Sequence, residues 1–268
     1  MRKGKGRILG SSLSELITRF SQQNIVEEIE KRYQSAPAKL IPISQIDDNA
    51  FVAAAVIPEE TTEYFAERLR EKGFYTPLVV RTKEDGRYEI ILGRKRFYGA
   101  RKAGMLSLPC AFAEVEDEEV LLMLLADTRD QREANVVEMA LVCRALQEKF
   151  GYGQQTLAEL SHQSRCQISN ILRILKLPKQ LQEAVCVGRL SYGHGRALAS
   201  LSEDEAAVLG KRVLEEGLSV REVESIIKQM RQGGNADAPY SLQVVGNEIR
   251  IKFKDSSQIG RFLQEKAL

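Results

Sequence analysis

Residues 154–178, QQTLAELSHQSRCQISNILRILKLP, contain two short helical patterns separated by a polar break. Leu157 and Leu160 fall on one face of the first helix. The break, SHQS at 161–164, is followed by Ile168, Ile171, Leu172 and Leu175 at the spacing i, i+3, i+4 and i+7 of one helical face. Two short amphipathic helices joined by a tight polar turn predict a helix-turn-helix.

The second helix of this pattern has a polar face that contains no acid. Such side chains reach base edges and phosphates when a helix lies in the major groove of DNA. An ordinary helical hairpin with a solvated basic face is the alternative interpretation. The polar face comprises Arg165, Gln167, Asn170, Arg173 and Lys176.

Charge is unevenly distributed along the 268 residues, although the net charge is only +2. Residues 151–200 contain six Lys/Arg and two Glu, a net charge of +4. Residues 111–140 contain nine acids and two bases, a net charge of −7. The basic residues therefore gather on the helix-turn-helix, where phosphate contacts are expected. The acidic block indicates a solvated face or the neighbourhood of a metal.

Length and composition indicate a globular chain of about two domains. The four cysteines, at 110, 143, 166 and 186, form no C-x-x-C pair, which argues against a zinc site. Scattered single thiols are typical of a reducing cytoplasm, so we expect a cytoplasmic protein. No apolar run approaches the ~20 residues of a membrane span, and the basic N-terminus lacks the apolar core of a signal peptide.

The segment order predicts an α+β protein. A small mixed α/β domain precedes an all-helical domain, and a short ββα unit of about 30 residues is too small to bury a core alone, so we expect it to dimerise. The predicted boundaries are a basic tail with an amphipathic helix at 1–36, the α/β domain at 37–137, the helix-turn-helix domain at 138–231, a linker at 232–239 and the C-terminal unit at 240–268.

A strand–glycine–helix step in the α/β domain predicts an anion site. Ile90, Ile91 and Leu92 end a strand, Gly93 breaks it, and Arg94-Lys95-Arg96 open a helix. Backbone N–H groups and the dipole at a helix start favour an anion. The P-loop pattern is absent, and a solvated basic helix face is the alternative interpretation.

The N-terminal tail is basic, and Leu13, Leu16, Ile17 and Phe20 line one face of its predicted helix after a capping box at Ser12–Glu15. This helix has three interpretations: docking on a protein partner, lying on a membrane surface, or a frayed extension.

Taken together, these segments resemble the ParB family of chromosome and plasmid partition proteins, including its nucleoid-occlusion branch. The resemblance covers residues 39–231, and residues 156–201 are its most specific part. LSYGHGRALASL at 190–201 resembles the turn after the family helix-turn-helix, and GRKRFYGARKAG at 93–104 aligns with the family's Gly-Glu-Arg-Arg box. By resemblance, the DNA-binding residues are Gln155, Ser164, Arg165, Gln167, Asn170, Arg173, Lys176, Gly193, His194 and Arg196.

The resemblance implies a dimer that binds a centromere-like palindrome on double-stranded DNA at the nucleoid. It also implies CTP and Mg²⁺ binding in the N-terminal domain, clamp closure, slow CTP hydrolysis, and contact of residues 1–20 with a ParA-type ATPase. The implied nucleotide-binding residues are Thr76, Arg81, Gly93, Arg94, Lys95, Arg96, Asp127 and Thr128, with Asp127 as the metal ligand.

Two departures from the family pattern leave CTP turnover open. Arg94 stands where the family box has glutamate, and Thr128 stands where a later family motif has asparagine. The exchange at 94 is expected to make the nucleotide pocket more positive. A ParB-like transcriptional regulator or nucleoid-occlusion factor without effective CTP turnover is therefore the main alternative.

An enzyme on the same N-terminal fold is the less favoured alternative. A sulfiredoxin needs a cysteine in the box, which this chain lacks. A nuclease needs acids that converge on metals, whereas Asp117, Glu118 and Glu119 are neighbours on one predicted helix. We interpret His194 as a turn residue that packs under the recognition helix, and not as a catalyst.

Overall fold

The computed structural model describes residues 37–130 and 135–231, the backbone of strands at 240–245 and 248–253, and four N-terminal positions: Glu15, Thr18, Phe20 and Lys31. The chain divides into two compact units, residues 1–207 and 208–268. The linker at 232–239 and the helix of the predicted ββα unit lie outside the described residues, and so do residues 12–14 of the predicted capping box. No helix in the described ranges combines the length and apolarity that a bilayer crossing requires.

The first unit contains a five-stranded mixed sheet. Its strands are β1 Lys39–Pro42, β2 Ile46–Asp47, β3 Leu78–Thr82, β4 Tyr88–Leu92 and β5 Ser107–Phe112. Their order in the sheet is β1-β5-β3-β4-β2. A turn at Asp85-Gly86 joins β3 to β4, and Gly86 adopts a positive φ of 79°, which glycine tolerates. β3 pairs antiparallel with β4 and parallel with β5.

Three helices accompany this sheet: α1 Glu59–Lys72, α2 Arg94–Lys102 and α3 Asp117–Asp130. Helices α1 and α2 approach closely because Gly99 has no side chain. A Cβ built there would lie 2.5 Å from Phe65 Cβ and 3.0 Å from the Ala66 nitrogen. This close contact holds the start of α2, and with it the predicted anion site, in place.

The remaining helices of the described residues correspond to the predicted all-helical domain. They are α4 Val136–Phe150, α5 Gln154–Ser161, α6 Arg165–Ile174, α7 Lys179–Cys186, α8 Tyr192–Leu198, α9 Glu203–Glu216 and α10 Val220–Arg231. Pro178 is the N-cap of α7.

One apolar core continues from the sheet into the helix-turn-helix. It includes Ile91 of β4, Leu121 of α3, Leu146 of α4, Leu157 of α5 and Ile168 of α6. Phe20 is 1% exposed and belongs to the same core. The N-terminal segment is therefore anchored here by one of its predicted apolar residues.

In the second unit, α10 begins with a capping box between Ser219 and Glu222. The Ser219 N–H donates to Glu222 Oε2 at 2.7 Å, and the Glu222 N–H donates to Ser219 Oγ at 3.4 Å. Strands β6 Tyr240–Val245 and β7 Glu248–Phe253 form the predicted antiparallel hairpin.

Candidate nucleic-acid interface and anion cavity

The turn between α5 and α6 is fixed by backbone geometry and by a capping box. His162 has a φ of 53° and is the C-cap of α5. Ser164 Oγ accepts from the Gln167 N–H at 3.2 Å, and Gln167 Oε1 accepts from the Ser164 N–H at 2.8 Å. These bonds satisfy orphan N–H groups at the start of α6 and set the direction of that helix.

Helix α6 has one buried face and one polar face. Ile168, Ile171 and Ile174 are buried, so the predicted apolar face is confirmed with Ile174 as a further member. On the polar face, Asn170 and Arg173 are half-buried. The exposed members are Ser164, Arg165, Gln167 and Lys176, and Gln155 on α5 is exposed as well. The arrangement offers donors and acceptors with no acid among them.

Arg173 also has a structural contact that the sequence did not predict. Its Nη2 donates to the Ala199 carbonyl at 3.1 Å, which ties α6 to the C-terminal end of α8. If Arg173 also contacts a phosphate, its guanidinium makes that contact in addition to the bond to Ala199.

His194 completes a capping box with Ser191, the N-cap of α8. The Ser191 N–H donates to His194 Nδ1 at 3.2 Å, and the His194 N–H donates to Ser191 Oγ at 3.3 Å. This arrangement requires the tautomer in which Nε2 carries the proton. Gly193 and His194 are half-buried, and Arg196 is exposed.

A cavity of about 250 Å³ opens at the start of α2. Gly93 is the N-cap there, with a φ of 95°, and no side chain caps the helix. A Cβ at Gly93 would lie 2.7 Å from Leu78 Cδ2. The cavity is lined by Ile57, Phe65, Gly93, Arg94, Lys95, Arg96, Asp127 and Glu138.

Arg94 is 8% exposed and holds a bidentate ion pair with Asp48. Its Nε and Nη2 donate to the two carboxylate oxygens at 2.7 and 2.8 Å, and Nη2 also donates to the Ala55 carbonyl at 2.8 Å. Tyr98 OH donates to Asp48 Oδ2 at 2.8 Å. The Asp48 carboxylate therefore balances the charge of Arg94 itself.

The third nitrogen of Arg94 faces a second acid. Nη1 is buried and has no hydrogen-bond acceptor among the described residues. Glu138 Oε1, in the first turn of α4, lies 3.9 Å away, beyond hydrogen-bonding distance. Burial raises the pKa of the Glu138 carboxyl above its ordinary value of 4.5, although Arg94 and Lys95 partly oppose this shift.

The cavity contains five of the eight predicted nucleotide-binding residues, namely Gly93, Arg94, Lys95, Arg96 and Asp127. The structure does not bring the other three into its lining. Arg81 is bound to Glu89 and Asp117, with its Nε 2.7 Å from Glu89 Oε2 and its Nη1 2.8 Å from Asp117 Oδ1.

The other two of these residues, Thr76 and Thr128, do not line the cavity. The buried Thr128 hydroxyl donates to the Leu125 carbonyl at 2.9 Å. Thr76 contributes its carbonyl, which accepts from Arg96 Nη1 at 2.7 Å.

The predictions did not include Asp48 or Glu138 as constituents of this site. Each reaches Arg94 across more than 40 residues of sequence, and neither lies in a motif that the sequence pattern singled out. A buried arginine implies an acidic partner, but the sequence gives no sign that Arg94 is buried.

Arg129 connects the N-terminal segment to the helix-turn-helix. Its Nη1 donates to the Phe20 carbonyl at 2.8 Å and to the Leu160 carbonyl in the last turn of α5 at 3.0 Å. Phe20, which was predicted on the apolar face of the tail helix, is therefore buried in the core.

Comparison with known proteins gives two adjacent family matches. Residues 27–128 match the model of the ParB N-terminal domain, and residues 132–232 match that of the ParB HTH domain. Three relatives are similar in sequence to most of the chain. A probable chromosome-partitioning protein ParB of Pseudomonas putida is 30% identical over 228 residues, which cover 85% of this chain and 77% of the relative. The chromosome-partitioning protein ParB of Caulobacter vibrioides is 32% identical over 230 residues, covering 85% and 73%. A nucleoid occlusion protein of a Geobacillus species is 29% identical over 233 residues, covering 87% and 83%.

Among solved structures, similarity is found to a C-terminally truncated ParB from Caulobacter crescentus complexed to the centromeric parS site. It is 30% identical, covers 71% of this chain and 99% of that chain, and has a TM-score of 0.41.

Proposed function

The chain belongs to the ParB family of chromosome-partitioning proteins, and from that premise we propose that it binds a centromere-like DNA palindrome as a homodimer. In this proposal α6 is the recognition helix, and CTP with Mg²⁺ in the cavity at the start of α2 controls the DNA-bound state. The protein acts at the nucleoid together with a ParA-type ATPase.

The acid-free polar face of α6 is the observation that carries the proposal. The apolar face of the helix is buried, and the capping box fixes its first turn, so the exposed side chains have a defined orientation. Gln167 uses Oε1 in the capping box, which leaves its amide N–H groups for a base edge or phosphate. Arg165 and Lys176 supply exposed positive charge for phosphates.

The cavity offers donors for the phosphates of a nucleotide, whereas Arg94 is already paired with an acid. The uncapped start of α2, with Lys95 and Arg96, provides donors for phosphate oxygens. Asp127 lines the same cavity, and we propose its carboxylate as the protein ligand of Mg²⁺. The described residues contain no group of three metal-binding side chains. When bound, Mg²⁺ would neutralise phosphate charge, while Arg94 remains paired with Asp48.

The proposal includes two protein interfaces. The β6–β7 hairpin belongs to the C-terminal unit that we propose as the dimer contact. Residues 1–20 are proposed to contact the ATPase through Leu13, Leu16 and Ile17, which lie outside the described residues, because Phe20 is buried in the core.

The ion pair of Arg94 favours a second candidate function. A protein of the same build that binds DNA without turning over CTP would act as a transcriptional regulator or nucleoid-occlusion factor. The basic residue at the box position and the internally bonded Thr128 hydroxyl support this alternative.

A DNA-selection experiment tests the proposal. The full chain is incubated with random-sequence duplexes, with and without CTP and Mg²⁺, and bound DNA is sequenced. We expect enrichment of one palindrome by the parent and loss of that enrichment by a Gln167→Ala, Asn170→Ala double variant. Arg144→Ala, which removes an exposed arginine of α4, is the control and should retain it. Failure of the parent to enrich any sequence would contradict the proposal.

The two candidate functions differ in one further measurement. Phosphate release in the presence of the selected duplex and CTP with Mg²⁺ supports the partition protein. DNA binding without detectable release supports the regulator or occlusion factor.

A further inference from the structure

The buried nitrogen Arg94 Nη1 indicates that the cavity receives a hydrogen-bond acceptor. The other two guanidinium nitrogens are used, Nε by Asp48 and Nη2 by Asp48 and Ala55. Nη1 has no acceptor among the described residues, and its side chain is more than nine-tenths buried. A buried donor without a partner is costly, so an acceptor that enters the cavity gains this bond.

Glu138 stands next to the place that such an acceptor would occupy. Its Oε1 is 3.9 Å from Nη1, its side chain is 12% exposed, and both residues line the same cavity. An anion bound to Nη1 therefore lies close to the Glu138 carboxylate. Lys95 offsets part of this repulsion, and Asp48, already paired with Arg94, adds to it.

We propose that Glu138 is a carboxylate gate: an anionic ligand that binds Arg94 Nη1 displaces or neutralises the Glu138 side chain, and α4 transmits this change to the recognition helix. The inference rests on the anion-binding part of the proposed function. It assigns Arg94 Nη1 as a ligand contact and Glu138 as the residue that opposes the ligand.

The position of Glu138 gives the gate a route to the DNA-binding surface. Glu138 lies in the first turn of α4, whose N-cap Asn135 accepts from the Val137 and Glu138 N–H groups. Met139, Val142 and Leu146 of the same helix pack in one core with Ile168 and Ile171 of α6. Because a close-packed core transmits small shifts, displacement of the first turn of α4 shifts α6.

Calorimetric titration of CTP with Mg²⁺ into the full chain tests the gate. Removing the opposing charge by Glu138→Gln should tighten CTP binding by about tenfold or more, equivalent to about 1.4 kcal/mol. Glu148→Gln makes the same change at an exposed position of α4 and should leave the affinity unchanged. Arg94→Gln should weaken binding, and thermal melts establish that each variant is folded.

The outcomes separate the gate from the proposed function. Binding of CTP by the parent with equal or weaker binding by Glu138→Gln overturns the gate, and weaker binding would make Glu138 a ligand of the nucleotide or its metal. Absence of CTP binding by both the parent and Glu138→Gln overturns the nucleotide part of the proposed function as well.

Transmission to α6 has its own readout. Cys166 is the exposed cysteine of α6, whereas Cys110, Cys143 and Cys186 are buried, so a thiol-reactive fluorophore labels Cys166. CTP with Mg²⁺ should change the emission of the labelled parent, and the unliganded Glu138→Gln variant should already show part of that change. An emission that CTP leaves constant in a parent shown to bind it contradicts the transmission.

Discussion

Replacing Arg94 by glutamate, the residue of the family box at this position, is expected to destabilise the first unit of the chain. The substitution removes both hydrogen bonds to Asp48 and the bond to the Ala55 carbonyl, at 2.7 to 2.8 Å. It also places a third carboxylate beside Asp48 and Glu138. A residue that suits the box elsewhere in the family is therefore predicted to be unfavourable in this chain.

The magnitude follows from the burial of the pair, because the side chains of Arg94 and Asp48 are 8% and 15% exposed. Removing one partner of a buried ion pair costs about 3–5 kcal/mol. For a unit of this size, 1 kcal/mol lowers the thermal midpoint by about 2–4 °C. We therefore expect the midpoint of Arg94→Glu to fall by roughly 6–20 °C.

Thermal unfolding followed by circular dichroism measures this effect. Lys102→Glu is the matched control, because it reverses a charge at the other end of the same helix and breaks ion pairs with Glu59 and Glu63. Exposed pairs contribute little, so its midpoint should shift far less. A double variant, Asp48→Arg with Arg94→Glu, should recover part of the loss. An Arg94→Glu midpoint within about 2 °C of the parent would refute the role of the pair.

Three further predictions concern other parts of the structure. Gly99→Ala should lower the free energy of unfolding in urea by about 1–3 kcal/mol, because the new Cβ meets Phe65 at 2.5 Å, whereas Gly153→Ala, with nothing within 4 Å of the new Cβ, should change it little. Burial raises the pKa of Glu138 above 4.5, so the stability linked to its neutral form is complete below pH 4.5 and declines as pH rises through the raised pKa. Glu138→Gln should therefore have a larger free energy of unfolding than the parent at pH 7 but not at pH 4. Equal gains at both pH values would contradict this. Arg165→Ala should lower the slope of log affinity for duplex DNA against log salt by about 1, whereas Arg144→Ala should leave it unchanged; equal slopes for both variants would remove the phosphate role of Arg165.

The helix-turn-helix was predictable because its determinants are local. The apolar spacing from Ile168 to Leu175 fixes the buried face of α6, and Ser164 with Gln167 fixes its start by bonds between residues three apart. The same holds for the turn at Gly86 and for the capping box at Ser219 and Glu222. In each case the physical cause and the sequence signal lie within one turn of helix or one hairpin.

The charge balance of the cavity was not predictable, because its contacts are remote in sequence. Asp48 lies 46 residues before Arg94, and Glu138 lies 44 residues after it, on a helix assigned to the other predicted domain. A run of three basic residues gives no sign that its first member is buried and neutralised. Likewise, the burial of Phe20 depends on a core built from α3, α4 and α5, which the amphipathic pattern of the tail does not contain.

The most direct test of the account is the affinity of the full chain for its selected duplex and for a scrambled duplex of equal length, measured with the parent and with Asn170→Ala. The account predicts that the parent prefers the selected duplex and that Asn170→Ala reduces this preference by about 1–3 kcal/mol. Failure of the parent to bind any duplex at low ionic strength, or an equal loss on both duplexes in the variant, would contradict base reading by α6.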